Sequence, residues 1–124
     1  MLARYWPDAN EDDLLIEDFT VRAVSEEATA YGFLRVFSLT HLISETSREV
    51  KQWQYTSWPK ASDFGAQQSA DVLEMITQIR TYQESKIVLP QEGVYGNASA
   101  IIEQARLAQL KPVVVHCGVR VATV

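Results

Sequence analysis

The sequence is poor in cysteine and contains no long apolar run; its single thiol belongs to Cys117. One cysteine cannot form a disulfide within the chain. The sequence also lacks the apolar segment of a secretory signal and the run of about 20 apolar residues that a membrane-spanning helix needs. These absences predict a protein of the reducing cytosol, with no direct membrane insertion in this segment.

Positive charge is scarce as well: the chain has 11 Lys and Arg residues but 16 Asp and Glu residues, so its net charge is −5 at pH 7. No basic stripe with interleaved aromatic residues is present, so the composition predicts no nucleic-acid partner. The acidic run at 11–13 is typical of a solvated surface turn. With 47% apolar and 22% charged residues, the 124-residue chain has the composition of one small globular domain.

Alternation of apolar and polar residues predicts three consecutive antiparallel strands. They cover residues 18–26, 29–42 and 47–59, and the third ends at a proline. Within the second strand, Gly32 is interpreted as the site of a β-bulge. These strands predict a twisted, mostly antiparallel sheet.

Helical spacing replaces strand spacing after Ser69, which is the predicted N-cap of a first helix. A second helix is predicted over residues 98–110, with Asn97 as its cap. The apolar stripe of the first helix consists of Val72, Leu73, Ile76 and Ile79. Together with the strands, these helices predict an α/β fold in which two helices pack on the sheet.

Three valines at 113–115 predict a short buried strand that carries His116 and Cys117 at its carboxyl end. Open α/β sheets place their chemistry at this end of their strands. By itself, Cys117 is better explained as a small buried hydrophobic residue at a strand end. A metal site is not predicted, because His41, His116 and Cys117 show no recognisable ligand spacing.

Four stretches together resemble the protein-tyrosine phosphatase domain of the cysteine-dependent family. Their order and spacing agree with that family over nearly the whole chain. They are ARYWPD at 3–8, SREVKQWQYTSWP at 47–59, QQSADVLEMI at 67–76 and KPVVVHC at 111–117. The resemblance implies a phosphatase-like α/β fold, dephosphorylation of phosphotyrosine-containing proteins through a cysteinyl-phosphate, a role in signal transduction, and no cofactor.

The same resemblance assigns roles to individual residues. The catalytic residues are Cys117 as nucleophile, Asp63 as acid and Arg120 as phosphate ligand. A cysteine that faces backbone amides and a guanidinium is readily ionised, and phosphoryl transfer depends mainly on positioning and charge stabilisation. The residues assigned to the substrate's surroundings are His116, Gly118, Val119, Trp58 and Pro59.

The signature loop departs from the family pattern, in which five residues separate the cysteine from the arginine. Here only Gly118 and Val119 separate Cys117 from Arg120. Three virtual bonds span at most ~10 Å, which is too short an arc to encircle a phosphate and return the guanidinium to it. The loss of this anion site predicts poor or absent hydrolysis. Alternatively, Arg120 is simply a charged residue of a frayed tail.

The acid loop departs too, because the family's Trp-Pro-Asp is Trp58-Pro59-Lys60 in this chain. The ammonium of a lysine, with an ordinary pKa near ~10.4, is a poor proton donor at neutral pH. Asp63, displaced by the insertion at 60–62, is the candidate acid. Its alternative role is that of a turn residue bonded to local backbone.

The region 1–124 is therefore expected to be a partial phosphatase-like domain that lacks the N-terminal recognition loop and the C-terminal helices. Three origins stay open: an impaired or active phosphatase portion, a pseudophosphatase or interaction module, and a mis-spliced product whose family pattern breaks after Cys117. The expected location is the cytoplasm or the cytoplasmic part of a receptor-type parent. An uncovered sheet also predicts aggregation of the isolated chain.

Overall fold

The computed structural model describes residues 4–56, 58, 63, 65–88, 99–117 and 121–123. Residues 2–72 belong to one compact unit and residues 73–124 to another. The elements, in chain order, are β1 (Leu14–Ile16), β2 (Phe19–Ala28), β3 (Gly32–His41), β4 (Thr46–Tyr55), α1 (Ala66–Ser85), α2 (Ser99–Gln109), β5 (Val114–His116) and β6 (Val121–Thr123). The predicted α/β class, an antiparallel sheet with helices, is confirmed.

The first unit contains a four-stranded sheet in the order β1-β2-β3-β4, with every neighbouring pair antiparallel. The three predicted strands correspond to β2, β3 and β4. The short strand β1, which pairs with the start of β2, was not predicted, because three residues are too few to display a period. β3 and β4 pair without interruption from Gly32 and Tyr55 to His41 and Thr46.

The predicted bulge at Gly32 is wrong, because the irregularity lies in β2 between Ala23 and Ser25. Gly32 pairs in register with Tyr55. It is required for a different reason: a Cβ at this position would lie 1.9 Å from the carbonyl oxygen of Gln54. The glycine therefore allows two strands to approach, and the extra residue of the bulge is accommodated at Val24, which is 58% exposed.

Three of the four buried residues in the described part of the chain lie on or directly before β3, a strand with partners on both sides; the fourth is Pro7. Tyr31, Arg35 and Phe37 are 2%, 7% and 6% exposed, respectively. Residues 35 and 37 share one face of the strand because side chains alternate. An arginine therefore occupies the same buried face as an aromatic residue, and it needs partners for its charge.

Helix α1 begins four residues earlier than a cap at Ser69 predicts, at Ala66. The amide of Ser69 already donates to the carbonyl of Gly65 at 3.1 Å, so Ser69 lies inside the helix and is not its cap. Gln68 bonds the amide of Gly65 through its side chain at 2.9 Å, which is one half of a capping box. The predicted apolar stripe is also only partly covered, since Leu73 and Ile76 are 64% and 43% exposed.

In the second unit, α2 lies within the predicted range, and Asn97 falls outside the described residues. The predicted strand at 113–115 is present as β5, paired antiparallel with β6. Its predicted burial is wrong: Val114 and Val115 are 60% and 53% exposed. A two-stranded ribbon cannot cover both of its faces by itself, so apolar strand residues stay open to solvent.

Candidate active site

The candidate nucleophile, Cys117, directly follows β5 and is exposed. His116, the last residue of β5, is exposed beside it. The interpretation of Cys117 as a small buried hydrophobic residue is therefore wrong, and its exposure suits the partially exposed setting of reactive thiols. Gly118, Val119 and Arg120 lie outside the described residues.

The chain that leads into β5 is held by two glutamine side chains. Gln83 of α1 donates from Nε2 to the carbonyl of Lys111 at 2.7 Å. Gln109, at the end of α2, accepts from the amide of Val88 at 2.8 Å and donates to its carbonyl at 2.6 Å. Side-chain amides can satisfy backbone donors and acceptors outside regular structure, so these bonds fix the carboxyl end of α2 relative to the end of α1.

An arginine also joins the two helices of this unit. Arg106 of α2 donates to Glu84 of α1 at 2.7 Å and to both carboxylate oxygens of Glu103 at 3.1 and 2.8 Å. The bond from Arg106 is the main reason that the pKa of Glu103 lies below its usual range. In turn, the bond to Glu103 and the charges of both glutamates raise the pKa of Arg106. This network orients the helix that precedes the candidate nucleophile.

The entrance to the candidate acid loop, at the end of β4, is built from aromatic residues. Tyr55 stacks on buried Tyr31, with ring centres 5.9 Å apart and planes 13° apart. Trp58 meets Tyr55 edge to face, with ring centres 5.5 Å apart. The amide of Thr56 donates to the carbonyl of Tyr31 at 2.9 Å. The chain is thus anchored up to residue 56, while Trp58 is 65% exposed.

Beyond the loop, α1 contacts the same aromatic group. The hydroxyl of Tyr55 lies 3.5 Å from Oδ2 of Asp71, whose other oxygen accepts from Gln67 at 3.0 Å. Desolvation raises the pKa of Tyr55, and the charge of Asp71 raises it further. Asp63 is exposed, whereas Pro59 and Lys60 lie outside the described residues. Trp58 and Asp63 belong to the first unit, and His116 and Cys117 to the second.

Comparison with known proteins decides the family. The family model described as protein-tyrosine phosphatase matches residues 1–119. The chain belongs to the protein-tyrosine phosphatase family. The predicted resemblance is thus confirmed over nearly the whole chain, including both the aromatic entrance at 55–58 and the strand that precedes Cys117.

Individual phosphatases agree with this membership. The chain is 28% identical over 118 residues to human "Tyrosine-protein phosphatase non-receptor type 2", a match that covers 94% of this chain and 23% of that protein. It is 33% identical over 86 residues to human "Tyrosine-protein phosphatase non-receptor type 20" and 36% identical over 81 residues to "Tyrosine-protein phosphatase non-receptor type 61F" of Drosophila melanogaster. These two matches cover 69% and 61% of the chain and 19% and 14% of the relatives. The chain thus spans about a quarter or less of the curated relatives it matches.

One group of interacting residues in this chain was not predicted from the sequence. Arg35 donates from Nε to Glu26 at 2.6 Å and from Nη1 to Gln52 and Gln54 at 3.0 and 2.7 Å. Its guanidinium also lies over the rings of Trp6 and Phe33, at 4.6 and 4.9 Å from their centres. The sequence did offer a signal for this group: Arg35 is a charged residue at a strand position where an apolar residue is expected.

The described residues contain neither a candidate metal site nor a helix suited to crossing a membrane. No group of three or more His, Cys, Asp and Glu residues suited to a metal ion occurs among the described residues. Of the helices in that part, neither combines the length and apolarity needed to cross a membrane.

Proposed function

We propose that this chain is a tyrosine-phosphatase-type domain which, with the sequence it has after Cys117, hydrolyses phosphotyrosine poorly or not at all. The family match over residues 1–119 supports the lineage. The spacing between Cys117 and Arg120 is the observation that carries the proposed impairment. Its substrate class would be phosphotyrosine-containing protein, in the cytoplasm or the cytoplasmic part of a receptor-type parent, with a role in signal transduction.

The reaction in question has two steps. The thiolate of Cys117 attacks phosphorus, the bond from phosphorus to the tyrosine oxygen breaks, and an acid protonates the leaving phenolate. Water then attacks the cysteinyl-phosphate, so that inorganic phosphate leaves and the thiolate is restored. Both steps concentrate negative charge on the phosphoryl oxygens, and donors around these oxygens supply most of the stabilisation.

The segment after Cys117 has too few backbone amides to supply these donors. Gly118 and Val119 are the two residues between Cys117 and Arg120, against five in the family pattern. The arc from Cys117 to Arg120 spans ~10 Å at full extension. It therefore cannot surround a dianion with amides and also present the guanidinium. Exposed Cys117 at the end of β5 would keep the nucleophile's place without the anion site that lowers its pKa.

A pseudophosphatase or interaction module is the second candidate, and Lys60 favours it. This lysine follows Trp58 and Pro59, where the family pattern has the aspartic acid. Asp63 would be the replacement acid, and it is exposed. A module of this kind would bind a phosphopeptide or protein partner without releasing phosphate.

Turnover of a phosphotyrosine peptide by purified protein tests the proposal. Wild type and Cys117→Ser are expected to release phosphate at the same background rate. Release by wild type that Cys117→Ser abolishes would refute the proposed inactivity. Vanadate binding gives a second measurement: no saturable binding is expected, and vanadate ringed by the backbone after Cys117 would overturn the spacing argument. If wild type captures the peptide without turnover, the module interpretation is preferred.

The transcript gives an independent check on the alternative of mis-splicing. Sequencing across the codon for Cys117 is expected to return Gly118, Val119 and Arg120 as they stand. Recovery of a five-residue spacing between the cysteine and an arginine would instead restore the interpretation as an active enzyme.

A further inference from the structure

Two hairpin turns lie side by side at the end of the sheet opposite Tyr55, the last residue of β4. Glu17 and Asp18 connect β1 to β2, and residues 42–45 connect β3 to β4. The amide of Leu42 donates to the carbonyl of Asp18 at 2.8 Å, which joins the two turns. The ten residues of β4 separate this end from the segment that leads to Trp58, a distance of about 30 Å at the rise of a strand.

Apolar side chains are unusually exposed at these turns. Ile43 is 74% exposed, Ile16 50%, Leu42 47% and Phe19 36%. We call these four residues the tip patch. Phe19 also contacts the ring of His41, with centres 4.8 Å apart, so the patch continues onto the face of β3. Clustered exposed apolar residues, unlike scattered ones, mark sites of interaction.

Carboxylates border the tip patch. Glu17, Asp18 and Glu45 are all exposed, and neither 16–19 nor 42–45 contains a lysine or arginine. Glu17 and Glu45 have φ angles of 52° and 55°, and they are the two non-glycine residues with positive φ in the described part of the chain. This region favours glycine or asparagine and costs about 1 kcal/mol for other residues. Each turn therefore carries a glutamate in a conformation better suited to another residue.

The turn between β3 and β4 is already ordered in this structure. Oγ of Ser44 lies 2.7 Å from Nδ1 of His41 and 2.7 Å from Oγ1 of Thr46. The hydroxyls of Thr40 and Ser47 lie 2.8 Å apart across the two strands. A surface that is preformed loses little conformational freedom on binding.

We propose that the tip patch is a docking surface for a basic, aliphatic peptide segment of a partner protein. Aliphatic side chains of that segment would cover Ile43, Leu42 and their neighbours, and its Lys or Arg side chains would meet the bordering carboxylates. The charge argues against two other occupants. A second copy would bring the same acidic border and a net charge of −5, and an anionic membrane would be repelled. Docking here does not depend on phosphatase chemistry.

Fluorescence anisotropy with a labelled synthetic peptide of about a dozen alternating Leu and Arg residues tests the proposal. Ile43→Ser is expected to weaken binding about tenfold, in the range of interface anchor residues. Glu17→Gln with Glu45→Gln is expected to weaken it several-fold at low salt and to reduce its salt dependence. The matched controls are Leu73→Ser, at a 64% exposed site on α1, and Glu27→Gln, at an exposed site on β2. Both are expected to bind like wild type.

Several results would overturn the proposal. These are equal weakening by the control variants, unchanged binding by the tip-patch variants, and equal binding of a peptide in which Ser replaces Leu. Self-association that Ile43→Ser abolishes, or binding to phosphatidylserine vesicles in place of the peptide, would assign the patch to another occupant. If a variant fails to fold, NMR is used on the wild-type protein, and the changes in amide chemical shift on addition of the peptide decide. Changes confined to 16–19 and 40–46 support the site, and changes elsewhere refute it.

Discussion

The guanidinium of Arg35 lies 4.6 Å from the centre of the Trp6 ring. This contact ties the N-terminal segment of the first unit to β3, one of the two inner strands of its sheet. The same guanidinium bonds Glu26 at 2.6 Å, and the side chain of Arg35 is 9% exposed against 38% for Glu26. The charge is thus largely removed from water, compensated by one carboxylate and by aromatic faces.

We expect Arg35→Ala to reduce the free energy of unfolding by about 2–4 kcal/mol, because it leaves Glu26 without its partner and removes the support of Trp6. Urea denaturation followed by tryptophan fluorescence measures the change. Arg22→Ala is the matched control: Arg22 pairs with Asp13, but its side chain is 69% exposed. This control should unfold nearly like wild type. An equal loss of unfolding free energy in both variants would show that the burial of Arg35 does not increase its contribution to stability.

Gly32→Ala is expected to destabilise the first unit by about 1–3 kcal/mol, because overpacking forces neighbouring atoms to move. The added Cβ would lie 1.9 Å from backbone oxygen of Gln54, so the pairing of β3 with β4 must shift. At Gly65 the nearest atom to an added Cβ is 3.5 Å away. Gly65→Ala should therefore cost much less in a thermal melt, and a larger loss for Gly65→Ala would contradict the packing argument.

The phenol of Tyr55 should titrate above its ordinary pKa of 10.0, because desolvation and the charge of Asp71 disfavour the phenolate. A raised pKa in the folded state means that the stabilisation is complete below pH 10 and is lost as pH rises through the folded-state pKa. Ultraviolet absorption at alkaline pH, compared with Tyr55→Phe, measures this titration. Asp71→Asn is expected to lower the pKa of Tyr55, and an unchanged value would exclude Asp71 as a cause.

Acid should loosen the second unit through Glu103. Its pKa is lowered in the folded state, chiefly by the bond from Arg106. The stabilisation is present above the ordinary pKa of 4.5 and is lost as pH falls through the lower folded-state value. Hydrogen exchange of α2 amides should rise over this acid range in wild type and be insensitive to it in Glu103→Gln. If the exchange rates of wild type and Glu103→Gln depended on pH in the same way, the bond between Arg106 and Glu103 would not be the cause of the acid sensitivity.

Local sequence pattern was sufficient for much of the architecture. Alternating side chains identified β2, β3 and β4, because a strand with one covered face needs period two whatever surrounds it. Four stretches in the family's order and spacing, among them KPVVVHC at 111–117, located the family. The start of α1 was not predictable from Ser69 alone, because the side chain of Gln68 competes for the cap by bonding the amide of Gly65.

The sequence by itself determined the order of β2 to β4, the two helices and β5, the membership in the phosphatase family and the two-residue gap between Cys117 and Arg120. Only the tertiary structure decided that Arg35 is buried between aromatic rings, that the bulge lies beside Val24, that β5 is exposed and that two hairpin turns meet at Leu42 and Asp18. The reason is physical: periodicity and bond lengths are properties of neighbours along the chain. Burial and charge pairing depend on residues that are distant in sequence and adjacent in space.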